Sequence, residues 1–385
     1  MVNGWKWNLF LLFVGIYLFI FSLSGLKESW TAAFAVEGKE QLAKDYIGRF
    51  VDNPLSGLAV GILATALVQS SSGVVAITIA TVAAGGLTLV QAVPLVMGAN
   101  IGTTVTCVIV TLGYAIRKLE FSAAVPVAIV NDVFKTFNVL IFFFIEIYTG
   151  WISRFAVWGA QFLDEMPLVG DLLGGFPDVV DVVVDPVMEP LSKVVFAFGG
   201  AVSSSHFAGA IMMGVTSFGL LILGLEIMGR SVESALKDRA SELLEKAFHT
   251  PLRGLFVGTA TAAILQSSSV ATSLVVPFAA SRMVTLRKAY PYILGCNIGT
   301  TIDPGQIVSY LKFGAQGLAV GIVHISLNVF GVVIWLGIPW LRDVPPRIAE
   351  WIGVHLVERK NGALNLLVAV VLVFYVIPLA IIYIV

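Results

Sequence analysis

Charged residues are scarce in this chain, and their scarcity excludes several classes of protein. Only 12% of the 385 residues are Asp, Glu, Lys or Arg, whereas about 25% is usual in soluble domains. The formal net charge of −1 leaves no basic field that would attract nucleic acid. The two cysteines, Cys107 and Cys296, fall in separate apolar stretches, which argues against a structural disulfide. Without clustered histidines they also cannot form a zinc site.

The abundant residues are apolar. They make up 58% of the chain, and the mean hydropathy is +0.93. Several apolar stretches reach roughly 20 residues, the length of a helix that crosses a bilayer. We therefore predict an all-α membrane protein. The N-terminal stretch has some features of a signal peptide. However, residues 15–25 resemble residues 219–229 in pattern, so this stretch is predicted to belong to the fold.

An internal repeat organises the chain. Residues 53–106 align with residues 250–303 without a gap, at a constant offset of 197, and 22 of the 54 positions are identical. Each copy carries the tetrad Gln-Ser-Ser-Ser, followed by the run Asn-Ile-Gly-Thr-Thr. Looser similarity extends on both sides, as expected of a structural repeat. We therefore place transmembrane repeats at 5–148 and 207–340.

Each repeat is predicted to contain an apolar helix, a segment with the tetrad at its middle, and two further apolar helices. The helices are placed at 5–26, 88–113 and 121–148 in the first repeat and at 207–229, 286–309 and 315–340 in the second. The glycine of each Asn-Ile-Gly-Thr-Thr run permits a broken helix there, and Pro304 should break the second one.

The middle segments are 53–86 and 250–283. Each has two arms of about 15 residues, and such an arm spans only about 22 Å of a hydrocarbon core about 30 Å thick. We therefore predict re-entrant helical hairpins that turn at the tetrads. Three full spans per repeat place the second repeat in the opposite orientation, which is an inverted repeat.

Composition and charge assign the remaining segments. Residues 149–206 are predicted to be an extracytoplasmic loop and connector, 341–361 a cytoplasmic amphipathic loop, and 362–385 a terminal transmembrane helix. Residues 231–249 and 342–360 are expected to form cytoplasmic interfacial helices with mixed charge. With a cytoplasmic N-terminus, fifteen of the 23 Lys and Arg residues lie inside, as the positive-inside rule favours. The prediction is a multi-pass protein of the cell membrane, either an inner or a plasma membrane.

The two tetrads, residues 69–72 and 266–269, are the main candidates for a binding site. Polar side chains at membrane depth are costly unless they are used. Serine is a good helix N-cap, and a helix N-terminus carries unpaired N–H groups and partial positive charge. Two such ends can meet on one anion, and the same oxygen atoms can ligand Na⁺. The alternative is that the serines only permit close helix packing, but two identical tetrads favour a site.

Three ionisable residues, Asp132, Lys135 and Asp303, lie at membrane depth, where a charge indicates function by default. Two alternatives stay open. Asp132 and Lys135, one turn apart, would form a structural ion pair, and Asp303, which precedes Pro304, would cap a helix at the outer boundary. His324 is predicted to be a helix-packing residue.

At these motifs the chain resembles the type II sodium–phosphate cotransporter family, in a compact bacterial-type form. The resemblance rests on the two tetrads, each followed by a P-x-x-x-G-x-N-I-G-T-T run, and it covers nearly the whole chain. It implies phosphate import driven by the sodium gradient, with alternating access around a midplane site and no cofactor besides the coupling ion. The expected partners are phosphate, sodium ions and the lipid bilayer; an oligomer is left open.

The resemblance also implies a set of site residues. Those expected to bind phosphate are Gln69, Ser70, Ser71, Ser72, Ser267, Ser268, Ser269, Asn100 and Asn297. Those expected to bind sodium are Gln266, Ser267, Thr103, Thr104, Thr300, Thr301, Asp132 and Asp303.

Three departures from the family pattern concern charge or polarity. Asn131 replaces the usual His, Lys135 stands where Asn is expected, and Asp303 replaces a hydroxyl residue. In the family an acidic residue at the Asp132 position accompanies an additional sodium ion. Lys135 is therefore expected to modulate coupling by neutralising Asp132, and Asp303 to restore a cation site elsewhere.

Three other functions are alternatives to phosphate transport. A sodium-coupled carrier of carboxylates or other oxyanions is an alternative, because half-helix N-termini do not distinguish these anions. A membrane hydrolase with a serine nucleophile would need a base within reach, but none of the four histidines is duplicated along with the tetrads. A phosphate sensor could have the same fold, and only a measurement of phosphate flux would distinguish it from a transporter. We expect a transporter and not an enzyme.

Overall fold

A computed structural model of the chain describes residues 3–34, 50–167, 182, 184, 186–195, 197, 206–236, 248, 250–357 and 361–385. In this part of the chain the secondary structure is helical and contains no strand. The predicted all-α class is therefore confirmed.

The helices before the second repeat are α1 (Asn3–Phe34), α2 (Pro54–Val68), α3 (Ser71–Ala83), α4 (Leu89–Gly102), α5 (Val105–Leu112), α6 (Lys118–Thr149) and α7 (Trp151–Asp164). The described residues 186–195 are helical as well.

The second half continues in the same manner. Its helices are α8 (His206–Leu236), α9 (Pro251–Leu265), α10 (Ser268–Ser273), α11 (Val275–Ala280), α12 (Leu286–Gly299), α13 (Pro304–Lys312), α14 (Gly314–Gly337), α15 (Pro339–Arg342), α16 (Val344–Val357) and α17 (Gly362–Ile384). Helix α17 contains a π-helical turn at Leu372–Val376.

Among the residues that the structure describes, five helical segments are long and apolar enough to cross a membrane, which indicates a multi-pass membrane protein. They are Trp7–Leu26, Leu89–Leu112, Lys118–Thr149, Gly314–Gly337 and Gly362–Ile384. Helices α2, α3 and α9 are apolar but shorter.

Helix boundaries recur at the offset seen in the sequence. Helices α2 and α9 both have 15 residues, and α4 and α12 both have 14. The start of each pair differs by 197 residues. Local chemistry explains the starts of α2 and α9. Asn53 and Thr250 act as N-caps, and each is followed by a proline, which is well suited to the first helical turn.

Paired glycines bring the backbones of these helices together. A Cβ atom on Gly98 would collide with the Leu58 carbonyl of α2, and one on Gly295 would collide with the Leu255 carbonyl of α9. The α2–α4 and α9–α12 contacts are therefore backbone-to-backbone, a close approach that only glycine permits.

The terminal helix packs against the first repeat. The Tyr375 hydroxyl, on the π-helical turn of α17, donates a hydrogen bond of 3.0 Å to the carbonyl of Ala66 in the last turn of α2. Helix α17 is thereby joined to the segment that leads into the first tetrad.

Several segments differ from the sequence-based expectation. Helices α1 and α8 run beyond the expected bounds 5–26 and 207–229. Two expected spans, 88–113 and 286–309, each consist of two helices. The first helix of each pair ends at the glycine of the repeated Asn-Ile-Gly run: α4 is followed by α5, and α12 by α13. Proline at position 304 explains the second break, because it lacks the N–H that would continue α12.

The segment 149–206 was assigned to a loop and connector, and the prediction missed helix α7 within it. The Glu146 carboxylate accepts hydrogen bonds from the backbone N–H groups of Ile152 (2.8 Å) and Ser153 (3.2 Å), and so stabilises the start of α7. Of the two expected interfacial helices, α16 lies within 342–360. The other, 231–249, is helical up to Leu236, and most of its remainder lies outside the described residues.

Candidate functional site

Each tetrad interrupts a helix in the same way. Gln69 and Gln266 end α2 and α9 in the left-handed backbone region, with φ values of 58° and 54°. Ser70 and Ser267 then cap the next helices, since their hydroxyls accept hydrogen bonds from the N–H groups of Gly73 (3.1 Å) and Val270 (3.2 Å). Non-glycine residues rarely adopt positive φ, so two equivalent cases mark functional turns.

The first tetrad contacts the second repeat. The Ser72 hydroxyl donates to Asp303 Oδ2 at 3.2 Å and lies 3.5 Å from the Thr300 hydroxyl. The Gln306 side chain donates to the Ser72 carbonyl at 2.9 Å. Asp303 also caps α13, because its Oδ1 accepts from the Gln306 N–H at 2.8 Å. The expected helix cap at Asp303 is therefore present, and it lies in contact with the first tetrad.

The second tetrad contacts the first repeat in return. The Ser269 hydroxyl donates to the Thr103 carbonyl at 3.2 Å. Ser269 and Ser72 are equivalent at the offset of 197, and so are Thr300 and Thr103. Each tetrad therefore contacts the Asn-Ile-Gly-Thr-Thr run of the other repeat.

Two amide pairs also join the repeats. The Asn297 side chain donates to Asn131 Oδ1 at 2.8 Å, and the Asn328 side chain donates to Asn100 Oδ1 at 3.2 Å. Asn131 lies on α6 and Asn328 on α14. The two asparagines of the repeated runs are thus brought against the long helix of the opposite repeat.

Eleven buried side-chain polar atoms have no hydrogen-bond partner among the described residues, and six of them belong to residues predicted for the site. Buried polar atoms in proteins are normally paired, so these six are candidates to contact ligands or water. The six atoms include donors suited to an oxyanion and oxygens suited to a hard cation. They are Gln266 Oε1, Ser268 Oγ, Asn100 Nδ2, Asn297 Oδ1, Asp132 Oδ1 and Lys135 Nζ.

Asp132 and Lys135 do not form a direct ion pair. Both lie on α6, and no nitrogen–oxygen contact within 4.0 Å joins them in the described structure. Asp132 interacts with the Thr104 hydroxyl and with the charge of Lys135 at longer range. The alternative of a closed structural ion pair is wrong for this structure.

Other predicted site residues direct their side chains elsewhere. The hydroxyls of Thr103, Thr104 and Thr301 donate to carbonyls of their own helices, at 2.9, 2.9 and 2.7 Å. The Gln69 side chain donates to the Ala66 carbonyl and accepts from Thr106 at 2.7 Å. Ser71 is buried next to these contacts.

Sequence reasoning missed Gln306 and Tyr310. The Tyr310 hydroxyl donates to the Thr301 carbonyl at 2.9 Å and lies 3.2 Å from His324 Nδ1. His324 is buried within α14, as expected of a packing residue, but its Nε2 has no partner among the described residues. The spacing of Asp303 and Gln306 at N-cap and N3 resembles a capping box and could have identified Gln306.

A known protein family matches the regions that contain both tetrads and both Asn-Ile-Gly-Thr-Thr runs. The model of the family described as Na⁺/Pi-cotransporter matches residues 18–151 and 220–338, which is more than half of the chain. No solved structure matches the chain significantly.

Curated relatives match over most of this chain. The sodium-dependent phosphate transport protein 2A of Ovis aries is 27% identical, and that of Oryctolagus cuniculus is 28% identical; each match covers 88% of this chain and 62% of the relative. The sodium-dependent phosphate transport protein 2B of Homo sapiens is 26% identical over 97% of this chain and 64% of its own length. The chain therefore spans less than two thirds of the length of these relatives.

Proposed function

Because this chain belongs to the Na⁺/Pi-cotransporter family, we propose that it is a secondary transporter that imports inorganic phosphate together with sodium ions. The observation that carries the proposal is the reciprocal contact of the two tetrads. Ser72 reaches Thr300 and Asp303 of the second repeat, and Ser269 reaches Thr103 of the first. Each tetrad thus brings hydroxyl groups of one repeat against polar groups of the other, including the carboxylate of Asp303.

Phosphate binds between the two tetrads in this proposal. Helices α3 and α10 begin there, so their first N–H groups and partial positive charge favour an oxyanion. Ser70 and Ser267 already use their hydroxyls as caps. The hydroxyl of Ser268 and the amide nitrogen of Asn100 have no protein partner among the described residues and remain available as donors.

Sodium binds at the oxygen cluster of Ser72, Thr300 and Asp303. The Asp303 side chain is 1% exposed, and in the described structure no Lys, Arg or His nitrogen lies within 4.0 Å of its carboxylate. A buried carboxylate without a cationic partner is costly, and a bound Na⁺ would offset that cost. The predicted sodium ligand Gln266 likewise keeps a buried side-chain oxygen without a partner among the described residues.

Alternating access follows from the repeat architecture. Segments 53–86 and 250–283 enter the membrane as re-entrant hairpins from opposite sides, and the two repeats rock around the site that they share. The reciprocal contacts lie at the boundary between the repeats, so they would be remade during the cycle. The N-terminus lies in the cytoplasm, and the protein resides in the cell membrane.

The test is phosphate uptake by purified protein in proteoliposomes. We expect uptake of radiolabelled phosphate to require an inward Na⁺ gradient, and Ser268→Ala and Gln266→Ala to lower the initial rate at least tenfold. Ser122→Ala, at an exposed site on α6, is the matched control and retains the rate. Equal uptake after choline replaces Na⁺ would refute the coupling, and normal rates in both tetrad variants would remove the tetrads from the site.

Competition decides the identity of the anion. A panel of unlabelled sulfate, carboxylates and phosphate distinguishes a phosphate carrier from a carrier of another oxyanion. A hydrolase finds no support in the comparisons, since the relatives are transport proteins.

A further inference from the structure

The ammonium group of Lys135 is a buried charge without an evident structural purpose. Lys135 lies near the middle of α6 and is 2% exposed, and its Nζ has no hydrogen-bond partner among the described residues. At 1.5 Å per residue it lies about 20 Å or more from either end of the helix. Its side chain therefore cannot bring the charge to the membrane surface by snorkelling.

The charge that Lys135 faces on its own helix is Asp132, one turn earlier. The two side chains interact electrostatically, but they form no contact within 4.0 Å in the described structure. Asp132 Oδ1 is buried and has no partner there. Together the two groups are neutral, so Asp132 is compensated although the pair is not closed by a hydrogen bond.

Lys135 also lies beside the proposed site. Asn131, one turn earlier on the same face of α6, accepts a hydrogen bond of 2.8 Å from the Asn297 side chain of the second repeat. Lys135 itself is buried. The ammonium group therefore lies in the interior beside the contacts between the repeats and is not a surface charge.

The second repeat has a neutral residue at the position that corresponds to Lys135. Residues 128–131 of the first repeat parallel 321–324 of the second, so Asn328 is the counterpart of Lys135, and Ile325 is the counterpart of Asp132. The charge pair exists in one repeat only. If position 135 also held a neutral amide, Asp132 would be a lone buried carboxylate, and a bound cation would offset the cost of that charge.

We infer that Lys135 is a tethered cation that neutralises Asp132 and thereby removes one sodium ion from each transport cycle. The inference rests on the proposed sodium-coupled phosphate transport. A mobile Na⁺ crosses the membrane with the substrate and is released, whereas the ammonium group remains with the protein. A neutral residue at position 135 therefore lets one more Na⁺ bind at Asp132 and be carried inward with each phosphate.

The ratio of sodium to phosphate flux tests this inference. Wild-type protein is reconstituted into proteoliposomes, the membrane voltage is clamped, and initial fluxes of ²²Na⁺ and radiolabelled phosphate are measured in parallel. For Lys135→Gln and Lys135→Asn we expect one additional Na⁺ per phosphate and one additional positive charge moved inward. Lys135→Arg keeps the charge and should keep the wild-type ratio, as should Lys118→Gln, which removes an exposed charge from the start of the same helix.

A double variant keeps the test decisive if the single variants fold but do not transport. Asp132→Asn combined with Lys135→Asn removes both charges, so we expect transport at the wild-type ratio, whatever the rate. An unchanged flux ratio in a transporting Lys135→Gln or Lys135→Asn protein overturns the inference. So does a double variant that is monodisperse in detergent but transports nothing. If wild-type protein itself shows no sodium-dependent phosphate flux, the proposed function fails instead.

Discussion

At the scale of single residues, the carboxylate of Asp303 has two roles. It caps α13 through the Gln306 N–H, and it accepts a hydrogen bond from Ser72 of the other repeat. The equivalent residue of the first repeat is Thr106, which instead donates to Gln69. The repeats have therefore diverged here in charge and in backbone, because Thr106 lies in the first turn of α5 whereas Asp303 is the extended residue that precedes α13.

Replacing this carboxylate by an amide separates the two roles. Asparagine is as good an N-cap as aspartate, so Asp303→Asn should fold normally while losing the negative charge. We expect the Na⁺ concentration for half-maximal phosphate uptake to rise at least tenfold, with little change in thermal stability. Asp343→Asn, which removes a carboxylate beside Arg287 and Arg347, serves as the control. An unaltered Na⁺ dependence in Asp303→Asn would exclude Asp303 as a sodium ligand.

At the scale of elements, the glycine contacts hold α9 against α12. In Gly295→Ala the new methyl group would meet the Leu255 carbonyl, and overpacking of this kind costs on the order of 1–3 kcal/mol. We expect a clearly lower melting temperature in detergent. Gly337→Ala at the end of α14, where nothing lies within 4 Å of the new atom, should melt like the wild type. Equal stability of the two variants would show that α9 and α12 can separate freely.

Sequence predicted some of these elements well and others poorly. The boundaries of α2 and α9 were accessible because cap, proline and tetrad mark both ends of each helix. The break between α12 and α13 could be read from Pro304, and the glycine of each Asn-Ile-Gly-Thr-Thr run indicated that both α4 and α12 could end there. Helix α7 was missed because its start depends on the Glu146 carboxylate, which is a contact made only in the folded chain.

In the candidate site, too, the sequence predicted some features, whereas others depend on contacts made only in the folded chain. The tetrads and the Asn-Ile-Gly-Thr-Thr runs were identified from their duplication alone. The pairing of Asn297 with Asn131, and of Asn328 with Asn100, depends on helix packing and has no local sequence mark. Thr104 and Thr301 were expected as sodium ligands from the family resemblance, and the structure adds that their hydroxyls donate to the carbonyls of Ile101 and Ile298.

At the scale of the whole molecule, the proposed inversion of the repeats makes equivalent residues face opposite sides of the membrane. Leu55 and Leu252 occupy the same position in the first turns of α2 and α9, and both are exposed. In a background without Cys107 and Cys296, we expect Leu55→Cys to react with an impermeant maleimide added outside intact cells. Leu252→Cys should react only in inverted vesicles. Labelling of both from one side would rule out inverted repeats.

The hydrogen bond from Tyr375 to Ala66 has a consequence for how the molecule divides into moving parts. Helix α17 belongs to neither repeat, yet it is anchored at the final turn before Gln69. The segment that leads into the first tetrad is therefore hydrogen-bonded to the last described helix. Ala263 is the counterpart of Ala66 in the second repeat, and in the described structure no other helix donates a hydrogen bond to its carbonyl. Any displacement of the first tetrad must carry α17 along or break that bond, so the duplicated halves are mechanically unequal even where their sequences agree.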